Sequence, residues 1–107
     1  MNSNLEQDIT LEERNAYKDI ISILLSIDNE EDMEALLDDL LTDKEILDII
    51  DRFLVLDDLY RGKSQRDIAS NRKMSLCKIT RGSKMLKKKD GFMRRLLSSK
   101  YDDHMHI

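Results

Sequence analysis

Between Ile9 and Ile27 the apolar residues fall at positions 9, 16, 20, 23, 24 and 27, and Tyr17, Ile21 and Leu25 add a second stripe. At about 100° per residue these positions make a helix that is apolar on more than one face. A chain of 107 residues and 12.6 kDa has room for one modest core and cannot cover such a helix by itself. A later segment, opening at Thr42 and running to about Arg61, repeats the problem with Ile46, Ile49, Ile50, Phe53, Leu54 and Leu56 as its core positions. The spacing predicts that these two helices from two copies of the chain interlock, burying together what neither copy buries alone. A monomeric up-and-down bundle with an apolar surface is the alternative.

The rest of the chain fits an all-α fold. There is no proline, only three glycines and five aromatic residues, while Leu, Ile and charged residues dominate, a composition that favours helices over a sandwich or barrel. Residues 1–8 read as a flexible arm, residues 9–100 as one all-helical domain and residues 101–107 as a flexible tail. Asp28 or Asn29 caps a short acidic helix to about Leu41, Thr42 and Glu45 form a capping box for the long helix, and Gly62 ends it. Six helices are expected in each copy of the homodimer. A single cysteine, Cys77, and the lack of a signal peptide, lipidation motif or apolar run of spanning length make a reducing, cytoplasmic setting the expectation. His104 and His106 lack a third ligand nearby, so no metal site is expected.

The net charge of −4 hides a division. Residues 1–60 hold 18 acidic and 4 basic residues, for −14; residues 61–107 hold 4 acidic and 14 basic, for +10. Within residues 61–89 there are 11 Lys or Arg and one acid, Asp67. That density recruits polyanions in a salt-dependent way, although a solvated face pairing with an acidic neighbour has the same composition.

Inside the basic stretch, Ser64 and Asp67 open a helix of about two turns, Gln65 to Arg72, and Ser75 opens another, Leu76 to about Lys88. A turn near Lys73 and Met74 joins them, which is the layout of a helix-turn-helix over about residues 64–88. Ala69 is small where the two helices cross, and Ile79 fills the core between them. Lys73 stands where most such turns have glycine; a left-handed conformation there costs roughly 1 kcal/mol. Ile79, Gly82, Ser83 and Leu86 share the core-facing side of the second helix. In such motifs the start of the second helix approaches base edges while the caps and the first helix grip phosphates. Leu76, Cys77, Lys78 and Thr80 are therefore candidate readers, with Gln65 and Arg66 at the groove edge, and Lys63, Ser64, Arg72, Lys84 and Lys87 as phosphate contacts. Ala69 completes the DNA-facing set. Cys77 also reads as a small apolar filler. A last helix, about Gly91 to Lys100, offers Phe92, Leu96 and Leu97 to the core.

LLTDKE at 40–45, Arg52, LYRGKSQRDIA at 59–69 and ITRGSKMLK at 79–87 together resemble the tryptophan repressors, in order and nearly in spacing, over about half the chain. The resemblance implies an intertwined all-helical dimer that binds operator DNA of tryptophan biosynthesis or uptake genes when free L-tryptophan is plentiful, with the amino acid as corepressor and no other cofactor. It implies that Arg52 and Arg81 enclose the indole, with Arg81 holding the carboxylate, that Thr42 lines the pocket, and that Gly82 leaves space for the ring. Carbonyls near Asp39 and Leu41 of the other copy receive the ammonium group. Met85 stands where the family usually has a serine that helps bind that group, Lys78 replaces a threonine, and the link from Gly62 to Ser64 is one residue shorter. Two rival functions carry other expectations. One is a helix-turn-helix DNA binder that uses no small molecule. The other is a small helical enzyme that rearranges dianions, for which the chain has no Arg, Lys and Glu set placed for one pocket and no nucleophile with its base.

Overall fold

A computed structural model describes residues 7–102. Every principal element among them is helical: α1 Leu11–Ser26, α2 Glu30–Leu40, α3 Asp43–Tyr60, α4 Gln65–Arg72, α5 Leu76–Lys87 and α6 Phe92–Tyr101. They fall into two compact units, one up to Asp43 and one from Lys44 onward, where the sequence suggests a single domain. Most of the expected arm and tail, with His104 and His106, lies outside the described residues. Tyr101, assigned to the tail, is the last residue of α6.

In the N-terminal unit, α1 begins at a capping box absent from the sequence reading. Thr10 Oγ1 accepts the Glu13 N–H at 3.1 Å, and Glu13 Oε1 accepts the Thr10 N–H at 3.0 Å; this reciprocal pair starts the helix two residues after Ile9. Asn29 caps α2 by accepting the Asp32 N–H at 2.8 Å. Neither helix has a buried residue.

The C-terminal unit has a true core. Val55, Leu56, Ile68, Ile79 and Leu97 are buried, and Leu59, Ala69 and Met74 pack against the Val55, Ile68 and Ile79 cluster. Three elements thereby meet: the C-terminal half of α3 and both helices of the motif. Gly82 sets how closely α5 approaches α3, since a Cβ there lies 3.1 Å from Val55 Cγ1 and 3.4 Å from Leu59 Cδ1. α3 ends at Gly62, φ 91°, with the Gly62 N–H donating to the Leu59 carbonyl and the Lys63 N–H to the Asp58 carbonyl. That pair of bonds is a Schellman closure. The turn of the motif runs through Lys73 in the left-handed region, φ 55° and ψ 46°, with its N–H capping onto the Ala69 carbonyl.

In the single chain Ile49, Ile50 and Phe53, expected to be covered by a second copy, are 49, 45 and 41% exposed. Two core expectations on α6 are corrected: Phe92 and Leu96 are exposed, the Phe92 ring lying under the Arg95 guanidinium 5.5 Å away, and Leu97 is the fully buried residue. In place of Ile49 and its neighbours, α3 buries two acids, Asp57 and Asp58.

Candidate ligand cavity and nucleic-acid interface

Asp58 organises the base of the motif. Its carboxylate accepts from Arg72 Nε at 2.6 Å and from Lys63 Nζ at 3.2 Å, so the end of α4 and the link before it are tied to α3. The Arg72 hydrogen bond, with Lys63 assisting, holds the Asp58 carboxyl below the usual carboxylate range against the opposing effect of burial, and the same contact raises Arg72. Asp57, one residue earlier, accepts from the Tyr101 hydroxyl and faces Lys100 and Arg61 at 3.5 and 3.8 Å. Tyr101 in turn stacks on Tyr60 with centroids 6.0 Å apart, which fastens α6 to α3.

Two of the expected phosphate contacts, Lys63 and Arg72, thus have an internal acid as partner. Ala69, counted with the DNA-facing set, packs against the core, since only a small side chain fits where the helices cross. The remaining candidates, Ser64, Arg66, Leu76, Cys77, Lys78, Thr80, Lys84 and Lys87, are exposed and Gln65 is half-buried. Thr80 Oγ1 and Gln65 Oε1 approach to 3.4 Å across the motif, which brings a reader from each helix together. Ser64 caps α4 by accepting the Asp67 N–H at 3.1 Å. Ser75 occupies the N-cap position of α5 but its side chain makes no cap hydrogen bond, contrary to the expected cap. The first-turn amides of α5 therefore face outward without a side-chain acceptor, at the electropositive end of the helix.

Behind α5 lies a cavity of about 360 Å³, within the ~300–1,000 Å³ range of small-molecule sites. One face of α3 and one face of α5 form its walls, with Met74 from the turn. The residues expected around a ligand that line it are Arg52, Arg81, Gly82 and Met85; Val55 and Leu56 add apolar surface. Gly82 leaves room here for Val55 as well as lining the cavity. Asp39 within α2, Leu41 as its C-cap and Thr42 directly before α3 belong to the N-terminal unit. Lys44, Asp48 and Asp51 also line the cavity and went unnoticed in the sequence. Their spacing from Arg52 and Val55, in steps of three and four, is the signal that places them on one helix face. Lys78 lines it too, so the residue expected to meet DNA shares a wall with the ligand space.

Among the described residues no group of three or more His, Cys, Asp or Glu is placed to hold a metal, and no helix is long and apolar enough to cross a membrane.

Comparison with known proteins gives a consistent result. A family model described as "Trp repressor protein" matches residues 10–100. Proteins named "Trp operon repressor homolog" from Xylella fastidiosa strains M23 and Temecula1 are each 36% identical over 86 residues, covering 78% of this chain and 94% of theirs. No solved structure gives a significant match.

Proposed function

The chain belongs to the Trp repressor family, DNA-binding regulators of transcription rather than enzymes, and from that premise we propose that it represses tryptophan biosynthesis or uptake genes as a homodimer when L-tryptophan fills the cavity behind α5. The observation that carries this reading is the cavity itself, where Arg52 from α3 and Arg81 from α5 line an apolar space closed by Val55, Leu56 and Met85. Arg81 pairs with the ligand carboxylate through its planar fork and lies against the ring, as guanidinium groups do on aromatic faces. Thr42 and the carbonyls near Asp39 and Leu41 come from the second copy.

Ligand in this space props α5 away from α3 at the tilt that lets both copies place their second helices in successive major grooves. Lys78, Thr80, Leu76 and Cys77 then reach base edges, with Gln65 and Arg66 at the groove rim. Ser64, Lys84, Lys87 and the open amides of α5 take phosphates. Since the coupling is a free energy between two sites, operator DNA tightens tryptophan by the factor by which tryptophan tightens DNA.

The dimer rests on exposed apolar residues. Ile20, Ile21, Ile23 and Leu25 of α1 and Ile49, Ile50 and Phe53 of α3 are all 40% exposed or more in the single chain, more apolar surface than soluble monomers leave open.

Calorimetric titration with L-tryptophan, followed by gel shift on a tryptophan-pathway promoter with and without the ligand, tests the reading. Heat at micromolar to millimolar ligand and a ligand-dependent shift are expected. A shift without any tryptophan heat points to the ligand-independent DNA binder instead. Arg81→Ala removes the tryptophan response and leaves weak, salt-sensitive DNA binding, whereas Thr80→Ala lowers operator affinity by about 1–3 kcal/mol if a base contact is lost and leaves ligand affinity of the free protein unchanged.

A further inference from the structure

Among the described residues two other than glycine hold a left-handed backbone: Lys73, φ 55°, and Asp90, φ 60°. Asp90 belongs to the residue types whose short polar side chain makes that region tolerable, whereas a lysine has no such local compensation. The backbone around position 73 accounts for the conformation but not for the side chain. The Lys73 and Met74 N–H groups both donate to the Ala69 carbonyl, closing α4 and turning the chain toward α5. Glycine makes the same bonds without strain. Strain of this kind gathers where a side chain serves binding rather than folding.

The interior leaves that side chain unused. Arg72, the residue before it, donates to Asp58 at 2.6 Å, and Lys63 reaches the same carboxylate at 3.2 Å. Lys73 is exposed and makes no side-chain hydrogen bond or ion pair among the described residues. Of two adjacent cations, one is tied into the fold and the other faces solvent. Lys73 also stands at a particular end of the motif. Ser75, two residues on, occupies the N-cap position of α5 without a side-chain cap hydrogen bond, so the turn sets a cation beside the electropositive end of α5. Between Asp67 and Asp90 the sequence has no acid to balance it, and crowded cations of one sign favour a polyanion. We propose that Lys73 is a DNA-phosphate contact: its ammonium takes a backbone phosphate beside the groove that α5 enters, so that the lysine weakens the fold at the turn and strengthens the grip on duplex DNA. The proposal rests on the reading of the N-terminal end of α5 as the DNA-facing end, and adds to it a contact from the turn itself.

Fluorescence anisotropy on the full chain, with and without L-tryptophan, tests this across a salt series. Two labelled duplexes of equal length are used, a tryptophan-pathway promoter and a shuffled version of it. Lys73→Gly removes strain and charge together, Lys73→Gln removes the charge and keeps the strain, and Lys73→Arg keeps both. Lys73→Gly melts no lower than the unmodified protein, so a binding defect in it is not unfolding. Both Lys73→Gly and Lys73→Gln bind the two duplexes about fivefold or more weakly at about 0.1 M salt, and the slope of log K against log salt falls by about 0.9 for each lysine removed, while Lys73→Arg restores affinity and slope. Affinity and slope unchanged in Lys73→Gln overturn the proposal. A loss in Lys73→Gly without one in Lys73→Gln overturns it too, since it assigns the effect to the backbone. So does a loss confined to the promoter duplex, which marks a base contact instead. If the unmodified protein binds neither duplex, the DNA-facing reading of α5 falls, and this inference with it.

Discussion

The two units of this chain solve the same problem in opposite ways. From Lys44 onward, α3 to α6 gather a core of Val55, Leu56, Ile68, Ile79 and Leu97 and seal its polar margin with Asp57 and Asp58. Up to Asp43, α1 and α2 bury no residue, although α1 carries six large apolar side chains that are 40% exposed or more. Good helix caps, at Thr10 and Asn29, define where these helices start and contribute roughly 1 kcal/mol each; they supply no burial, which is what stabilises helices in water. One unit carries its own stabilising interior, and the helices of the other leave their apolar faces open in the single chain. Charge is also uneven along the chain, acidic over residues 1–60 and basic over residues 61–107, so that the basic stretch lies wholly within the unit that has a core.

The contrast breaks most visibly at α1. Ile21→Asp, on the exposed apolar face, abolishes the dimer mass in sedimentation or light scattering if a second copy covers that face, because a charge buried without a partner is strongly unfavourable. A dimer mass that survives the substitution shows that no second copy covers this face of α1, and removes the contrast. The next effect belongs to the other unit. Asp58→Asn leaves Arg72 and Lys63 without their shared acid and lowers unfolding stability by about 1–3 kcal/mol in chemical denaturation, discounted because both cations are partly exposed. The same residue makes a pH prediction. Its folded carboxyl titrates below its unfolded value, so its stabilisation is complete above pH ~4 and is lost as pH falls through the lower folded value. Acid unfolding of Asp58→Asn is correspondingly flatter below pH ~4. Gly82→Ala sets a gain in helix propensity of about 1 kcal/mol against crowding on Val55 at 3.1 Å, for a net loss of up to about 2 kcal/mol by thermal melt. The smallest change has the opposite sign: Lys73→Gly relieves the left-handed backbone at φ 55° and raises stability by about 0.5–1 kcal/mol, because the strain removed exceeds the entropy that glycine adds to the unfolded chain.

Where local chemistry decides structure, the sequence was readable. Ser64 with Asp67, the strained turn at Lys73 and the glycine stop at Gly62 each carry their reason within a few residues, and α4 spans Gln65–Arg72 as its spacing predicts. Periodicity also marked Ile79 as core. At Ile49, Ile50 and Phe53 it left the cover to a second copy, and in the single chain they are exposed; it failed at Phe92 and Leu96, which α6 leaves exposed. It failed again at Asp57 and Asp58, since adjacent acids near a helix end look solvated until Arg72, fourteen residues after Asp58, folds back onto one of them. For the cavity, Arg52, Arg81, Gly82 and Met85 were legible through family resemblance. Lys44, Asp48 and Asp51 were not, because on a helix with so many charges only the packing of α5 distinguishes a cavity wall from a wet surface.

The Asp58 clamp has a mechanical meaning. It fastens α4 to the long helix by ionic contacts, whereas α5 rests on that helix through Gly82 and apolar neighbours. The motif therefore has one arm anchored by charge and one arm seated by apolar packing alone.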